Sequence, residues 1–540
     1  MHRSQLGKRP RQGRTIAALL TTLIGVSGCM VGPDYQTPST HVADQWLEAG
    51  TEGVVTERQD DRVWWAVFND PVLNQLIDIA YQQNLSLMQA GAQVLQARAQ
   101  LGIAVGNFYP QQQQATGDLA YTRQSQKAPF ATTGNSDLFT FTQASLGIGL
   151  SWEVDFWGKF RRAIQNADAL FLASVANYDN VLVTLTADVA STYVTIRTLE
   201  EQLAIARENV RIQKESLEIA RARFEGGATS ERDVAQAETV LASTEASIPQ
   251  IEQQLQQAKN ALALQLGMPP TPLNNLLSAG HGIPQAPKDV AVGIPADLLR
   301  RRPDIRQAEL QAVAQNARIG FEKAALYPSL SLTGNFGYLG SDWSTYDLSD
   351  IFTSKARQWS VGPAVQWNIL NYGQITNQVR TQDAAFQASI FAYQNTVLQA
   401  QREVEDGLAQ FLQSQQRTVL QARAASAAKR SLDLSILQYR EGIVDFTTVL
   451  TAQQDQLSAQ NQLVLASGDI PQGLILTYRA LGGGWQIREG RDFLPPEVQE
   501  AMAKRTDWGN VLTPVNLLQP SVPALPGAED VSAKVRVPEW

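Results

Sequence analysis

The chain has 540 residues, enough for three or four domains of ordinary size. Charged residues make up 18% of it, against about 25% in an average soluble chain, and the net charge of −8 is acidic, which excludes a phosphate backbone as partner and so nucleic acid. One cysteine and three histidines leave no disulfide framework, no multi-cysteine metal site and little for histidine-driven catalysis.

Five basic residues, Arg3, Lys8, Arg9, Arg11 and Arg14, precede an apolar run from Ile16 to Val26. Eleven such residues suit the h-region of an export signal and are too few to span a bilayer. Val26-Ser27-Gly28-Cys29 closes the run and resembles a bacterial lipobox, which implies cleavage before Cys29 and diacylglyceryl attachment to its thiol. Residues 1–28 are then a signal peptide and 29–61 a lipidated N-terminal segment, with Met30 after the cysteine favouring the outer membrane. The mature chain carries 39 basic against 52 acidic residues, a balance of −13. No later segment reaches 18 consecutive apolar residues, so a second membrane crossing would have to be made by strands.

The chain repeats itself. Trp152…Asp155-Phe156-Trp157-Gly158-Lys159 lines up with Trp367…Leu370-Asn371-Tyr372-Gly373-Gln374 at an offset of 215, as do Phe224…Gly227 with Tyr439…Gly442 and Leu266-Gly267 with Leu481-Gly482. Phe108-Tyr109-Pro110 meets Leu326-Tyr327-Pro328 at 218. The repeats are residues 62–267 and 296–482, with a six-proline linker at 268–295 and a Pro-rich tail at 483–540 that shows no periodicity.

Each repeat opens with a helix: Asp70-Pro71 starts the first and Pro303-Asp304 the second, and Tyr109-Pro110 and Tyr327-Pro328 end them. Period-two alternation predicts strands at about 111–124, 140–154, 329–340 and 358–370. Proline-free runs follow at 159–226 and 374–441, 68 residues each, or about 100 Å as helix. Gly227 and Gly442 punctuate them, setting hairpin tips at 226–229 and 441–445. Return helices rich in Ala, Gln, Ser and Leu come next, and Pro249 and Pro471 should kink them or end them early. The reading is mainly α with a small membrane β-barrel, as two tandem repeats of helix, strand, strand and long helical hairpin. Four strands cannot close and lipid tolerates no open edge, so the chain must oligomerise. A dimeric coiled coil would account for the helices and leave the strands unexplained.

These residues resemble the outer-membrane efflux protein family, the TolC-like outer membrane factors, in their OprM/NodT-type lipoprotein branch. Cys29-Met30-Val31-Gly32-Pro33-Asp34-Tyr35, Trp64-Trp65…Phe68…Asp70-Pro71, Trp152 to Lys159, and Leu298-Leu299-Arg300-Arg301-Arg302-Pro303-Asp304-Ile305 carry the resemblance, over about residues 29–485. It implies a homotrimer with a 12-stranded barrel in the outer membrane of a Gram-negative bacterium, lipid-anchored, on an α-helical barrel reaching through the periplasm. Short and returning helices would stack end to end as rods. The implied work is export of small molecules such as drugs, as the outer-membrane channel of a tripartite pump with a periplasmic adaptor and a proton-driven inner-membrane transporter. No chemistry, cofactor or metal is involved. The alternatives are the duct of an ABC-driven protein secretion system and a structural lipoprotein that conducts nothing.

In the family the hairpin tips meet the adaptor and constrict the tube, which assigns Gly227, Ala228, Gly442 and Ile443 to docking. The family's gate carries an Asp and an Arg in a Leu-Asp-Ala-Gln-Arg setting; here the stretch reads Leu450-Thr451-Ala452-Gln453-Gln454. Thr451 and Gln454 replace the charges, Asp455 is adjacent, and Tyr439 and Asp445 are the remaining gate-region candidates. A channel without the pair is expected to leak more readily. Arg300, Arg301 and Arg302 are read as fixing the inter-repeat connection, Trp64 and Trp65 as packing anchors, and Glu153 and Asp155 as lumen-facing charges on one strand face. No P-loop and no Gly-x-Ser-x-Gly motif is present, and nothing supports an enzyme.

Overall fold

A computed structural model describes residues 30–55, 62–123, 125, 140–280, 282–293, 295, 301–343 and 347–513. The leader, Cys29, Arg300 and the tail beyond 513 lie outside the described residues.

Repeat one begins with α1 (Pro71–Gln83), capped by Asp70, whose carboxylate accepts from the Val72 and Leu73 backbone nitrogens. The expected single helix to Tyr109 is broken. Asn84 adopts an extended ψ of 121° and caps α2 (Leu85–Gly106) by accepting from the Leu87 nitrogen. An Asx side chain that satisfies a helix start competes with continuing the helix, which is why the break falls there. Strands β1 (Gln112–Arg123) and β2 (Thr140–Val154) follow, then α3 (Lys159–Glu225) and α4 (Glu231–Gln265). Repeat two contains α5 (Pro303–Ala324), β3 (Ser329–Ser341), β4 (Arg357–Gln366), α6 (Gln374–Arg440) and α7 (Phe446–Leu481). β4 stops at Gln366, short of 370, because its ladder with β3 runs out where Gln366 pairs with Ser329.

Both 67-residue helices are unbroken. The return helices run through Pro249 and Pro471 instead of ending there. Each loses one internal hydrogen bond, a local loss that the many remaining bonds of a long helix tolerate. Small residues bring α6 and α7 close: a Cβ on Gly473 would stand 2.6 Å from the Phe411 backbone nitrogen. By length and composition alone, one 18-residue window of α3 could cross a membrane, but 61% of that window is buried within the fold.

The short helices and the return helices meet end to end. Asn84 donates through Nδ2 to the Gln265 carbonyl at 2.8 Å, and Arg302 donates through Nη1 to the Ala480 carbonyl at 2.5 Å. Asn84 and Arg302 are equivalent in the two repeats, as are Gln265 and Ala480, so one joint is built twice with different chemistry. Arg302 is buried and also pairs with Asp304 at 2.7 Å and Glu403 at 2.8 Å, a structural role at the inter-repeat connection.

The four strands form one antiparallel sheet in the order β1-β2-β3-β4. Asp155 is not on its face. It lies past the end of β2, accepts from the Phe160 and Arg161 backbone nitrogens and pairs with the Arg161 guanidinium at 3.0 Å, capping α3. Glu153, still on β2, pairs with Lys159 at 3.0 Å.

Trp64 stacks on Tyr478 at 5.6 Å and meets Trp65 edge-on, inside the main core with Leu73, Leu76, Leu182, Tyr193 and Phe411. A smaller core near the hairpin tips holds Leu217, Leu432, Tyr439, Phe446 and Val449. Residues 30–55 run as a strap over the second repeat. Part of the tail is ordered, contrary to its lack of periodicity: α8 (Pro496–Arg505) is a short helix started by Pro496, and Leu494 and Met502 close a cluster on Leu95 of α2. Arg488, just before it, is buried against Asp179 of α3 at 2.5 Å.

Arg488→Ala leaves a buried carboxylate without its partner and is expected to cost about 3–5 kcal/mol. Arg488→Met together with Asp179→Leu is expected to be close to neutral. Thermal unfolding of the purified variants checks both, and equal losses would show that the charge is not what matters.

Candidate functional site

The register of the sheet sorts its side chains into two faces, because residues directly opposite one another point the same way. Ala115, Ile148, Phe336 and Trp359 form one row across all four strands. Val154, Leu330 and Val365 form another on the same face, as do Trp152, Leu332 and Pro363. The opposite face carries Gln112, Ser151, Thr333 and Gly362, then Gln114, Gly149, Asn335 and Ser360, then Thr116, Gly147, Gly337 and Gln358. Leu339 is an exception on that polar face. Trp359 is 72% exposed and Ile148 63%, which water does not tolerate across a whole sheet face. Lipid on one side and an aqueous lumen on the other satisfy both faces. The outer edges of β1 and β4 have no strand partner among the described residues.

At the far end of the long helices the two hairpin tips share one backbone design. Gly227 and Gly442 take φ of 71° and 75°, the left-handed conformation that a side chain resists. The Ala228 nitrogen then donates to the Arg223 carbonyl at 2.8 Å and the Ile443 nitrogen to the Gln438 carbonyl at 2.9 Å, closing each helix end. Gly227, Ala228, Gly442 and Ile443 are all exposed.

Side chains then tie one tip to the other. Tyr439, in the last turn of α6, is 3% exposed. Its ring meets Phe446 edge-on at 5.2 Å, and the Arg223 guanidinium from α3 lies 4.6 Å over its face. Arg223 also donates to the Tyr439 backbone carbonyl. Burial pushes the Tyr439 hydroxyl up from its ordinary pKa, Thr229 beside it pulls the other way, and Asp233 adds to the rise. Asp233 is itself buried in the first turn of α4 and accepts from the Thr229 hydroxyl. A cation, a tyrosine and a carboxylate from two hairpins thus make a small clasp.

The other gate-region candidates stand apart. Asp445 is the N-cap of α7 and accepts from the Thr448 nitrogen at 3.3 Å. Thr451 donates back to the Thr447 carbonyl at 3.0 Å, and Thr451, Gln454 and Asp455 are all exposed on a single chain. Arg223 and Asp233 escaped the sequence reading. Their only sequence signal is that the repeat equivalents, Gln438 and Thr448, are uncharged, and that contrast means nothing until the two hairpins are set side by side. Among the described residues no group of His, Cys, Asp or Glu could hold a metal.

Residues 76–268 and 294–483 match the model of the family described as outer membrane efflux protein, one stretch on each repeat. The chain is 30% identical over 477 residues to nodulation protein T of Rhizobium leguminosarum bv. viciae, covering 87% of this chain and 94% of the relative. It is 30% identical over 486 residues to the toluene efflux pump outer membrane protein TtgC of Pseudomonas putida, covering 88% and 97%. Among solved structures, the outer-membrane channel OprN superposes with a TM-score of 0.78 at 32% identity, covering 85% of this chain and all of that one. With both repeats matched, relatives aligned over nearly their whole length and the fold of a TolC-like outer-membrane channel, the chain belongs to the outer membrane efflux protein family, a family of channel proteins.

Proposed function

We propose that this chain is the outer-membrane channel of a tripartite efflux pump in a Gram-negative bacterium, passing small toxic or drug-like molecules to the outside. The observation that carries the reading is the sheet with one apolar face, one polar face and two open edges. Three copies bring twelve strands, above the minimum of about eight for a closed barrel, and leave no edge in lipid. The helical rods continue the ring below as a long α-helical barrel. Relatives described as efflux-pump outer membrane proteins support the cargo class.

The mature N-terminus fits an anchor at Cys29. Val31 donates to the Trp157 carbonyl at 3.0 Å, at the turn from β2 into α3. The buried Arg162 side chain gathers the Val31 and Gly32 carbonyls and, at 2.9 Å, the Asp34 carboxylate. Chain leaving backwards from Met30 therefore starts level with the periplasmic ends of the strands, where acyl chains enter the bilayer. The exposed tips at Ala228 and Ile443 suit docking to a periplasmic adaptor, which in turn engages a proton-driven inner-membrane transporter. The clasp of Arg223, Tyr439 and Asp233 takes the place of the missing Asp–Arg pair in holding the hairpin end shut.

Photo-crosslinking in cells from Ala228 and Ile443 is expected to capture a periplasmic adaptor, and capture of this chain's own subunits alone would count against a pump. Arg223→Ala removes a stacked cation and its bond to a carbonyl, about 2 kcal/mol in all, and should raise conductance in planar bilayers more than tenfold. Recordings that show no pores at all would overturn the channel reading. Cys29→Ser should abolish incorporation of a palmitate analogue in metabolic labelling; persistent label would place the lipid elsewhere or nowhere.

A further inference from the structure

Within one copy the two hairpins meet along α3 and α7. Asn209 donates to the Gln460 carboxamide oxygen at 2.8 Å, and Gln453 donates to the Ser216 hydroxyl at 2.8 Å. Both pairs belong to one antiparallel register, which sets Gln213 opposite Gln456. The spacings along α3 (209, 213, 216) and α7 (453, 456, 460) are those of the seam positions in a coiled coil, normally filled by apolar side chains. Here all three of Asn209, Gln213 and Ser216 are polar, as are Gln453, Gln456 and Gln460. Gln213 is 2% exposed and Gln456 3%. Both polar atoms of the Gln213 carboxamide and the oxygen of Gln456 are buried without a hydrogen-bond partner in the protein.

The packing changes character on either side. Towards the tips lies the apolar cluster of Leu217, Phe446 and Val449. Away from the tips α7 presses on its neighbours through glycines: a Cβ on Gly468 would lie 2.5 Å from the Thr198 hydroxyl oxygen. The polar stretch is therefore a short window in a seam that is otherwise closely packed. Burying a carboxamide without a partner forfeits its hydrogen bonds to water and gains none in return, whereas parting the helices restores them.

We propose that Gln213 and Gln456 make this seam separable, acting as positioning residues that set how readily the hairpin end opens. The inference rests on the reading that the hairpin tips close the duct. In that arrangement the clasp at the tips holds the closed state and the carboxamide pair above it biases the same state towards parting. The pair also marks register, because a polar position in such a seam disfavours other alignments.

Purified full-length protein in planar bilayers separates the two claims. Arg223→Ala is expected to conduct more than the wild type. Adding Gln213→Leu and Gln456→Leu to it should reclose the channel, lowering open probability about tenfold or more. If that variant does not assemble, Met at both positions keeps length and flexibility and serves in its place. Gln456→Glu alone should open the wild-type channel, and increasingly so as pH rises and the buried carboxyl ionises, a pH profile that a merely structural role would not produce. If Arg223→Ala conducts strongly and the apolar pair leaves it equally open, the seam inference is overturned and the gate reading stands. If Arg223→Ala conducts no more than the wild type, the tips are not the barrier and both fall. Gln456→Glu indistinguishable from wild type at every pH also overturns the seam inference.

Discussion

The constraint behind this fold is the pair of sheet edges, on β1 and β4, that find no strand partner among the described residues. A four-stranded sheet with an apolar face cannot rest in water, and with open edges it cannot rest in lipid. On the proposed reading, other copies of the chain supply the hydrogen bonds these edges lack, and the sheet becomes part of a ring. Once strands are arranged in a ring, the helices that leave them are too. Their low charge and small side chains then become intelligible, since in a ring each rod would have a neighbour on both sides. The end-to-end joints at Asn84 and Arg302 add 22-residue helices to return helices of 35 and 36 residues, bringing the stacked rods towards the reach of the 67-residue ones.

The hairpins show how far internal repetition goes. Their backbones are close copies, down to the positive φ at Gly227 and Gly442 and the bonds that close each helix end. Their side chains are not. Phe224 is 43% exposed while its equivalent Tyr439 is 3% exposed. Arg223, Thr229 and Asp233 come from one repeat and act on a tyrosine of the other. A symmetric scaffold with asymmetric contacts allows two similar hairpins to play different parts, one offering the cation and the other the ring.

Much of the architecture was legible because it depends on features that a sequence displays directly. Absence of proline over 159–226 and 374–441, with a glycine closing each run, is enough to write a very long helix. Strict alternation in Leu146, Ile148, Leu150 and Trp152 is enough for a strand. What escaped depended on what stands next to what. Asn84 breaks a helix because its amide finds both the Leu87 nitrogen and the Gln265 carbonyl. Asp155 leaves the strand face because α3 offers it nitrogens to cap. Pro249 and Pro471 both remain inside their helices, the first exposed and the second buried among its neighbours, so packing explains only the second. The tail segment at 496–505 lacks a strong periodic stripe and is held by contacts to α2. At the hairpin end Tyr439 was visible only through the family resemblance, whereas Arg223 acquires meaning only from the ring it covers.

The strap at residues 30–55 carries an implication for how the chain is made. Its hydrogen bonds reach forward to Asn316, Gln394, Gln401, Glu405 and the backbone at Val290 and Gly293. Residues 31–34 are held by Trp157 and Arg162 of the first repeat, but the rest of the strap finds most of its partners in the last half to be synthesised. Docking the strap closes loops of hundreds of residues, which is slow and comes late. An anchor attached at the start of the chain would hold that end at the bilayer while the rest folds, and the strap would seal over the second repeat only when the repeat is complete. The strap would in this sense be the last piece of the wall to be laid.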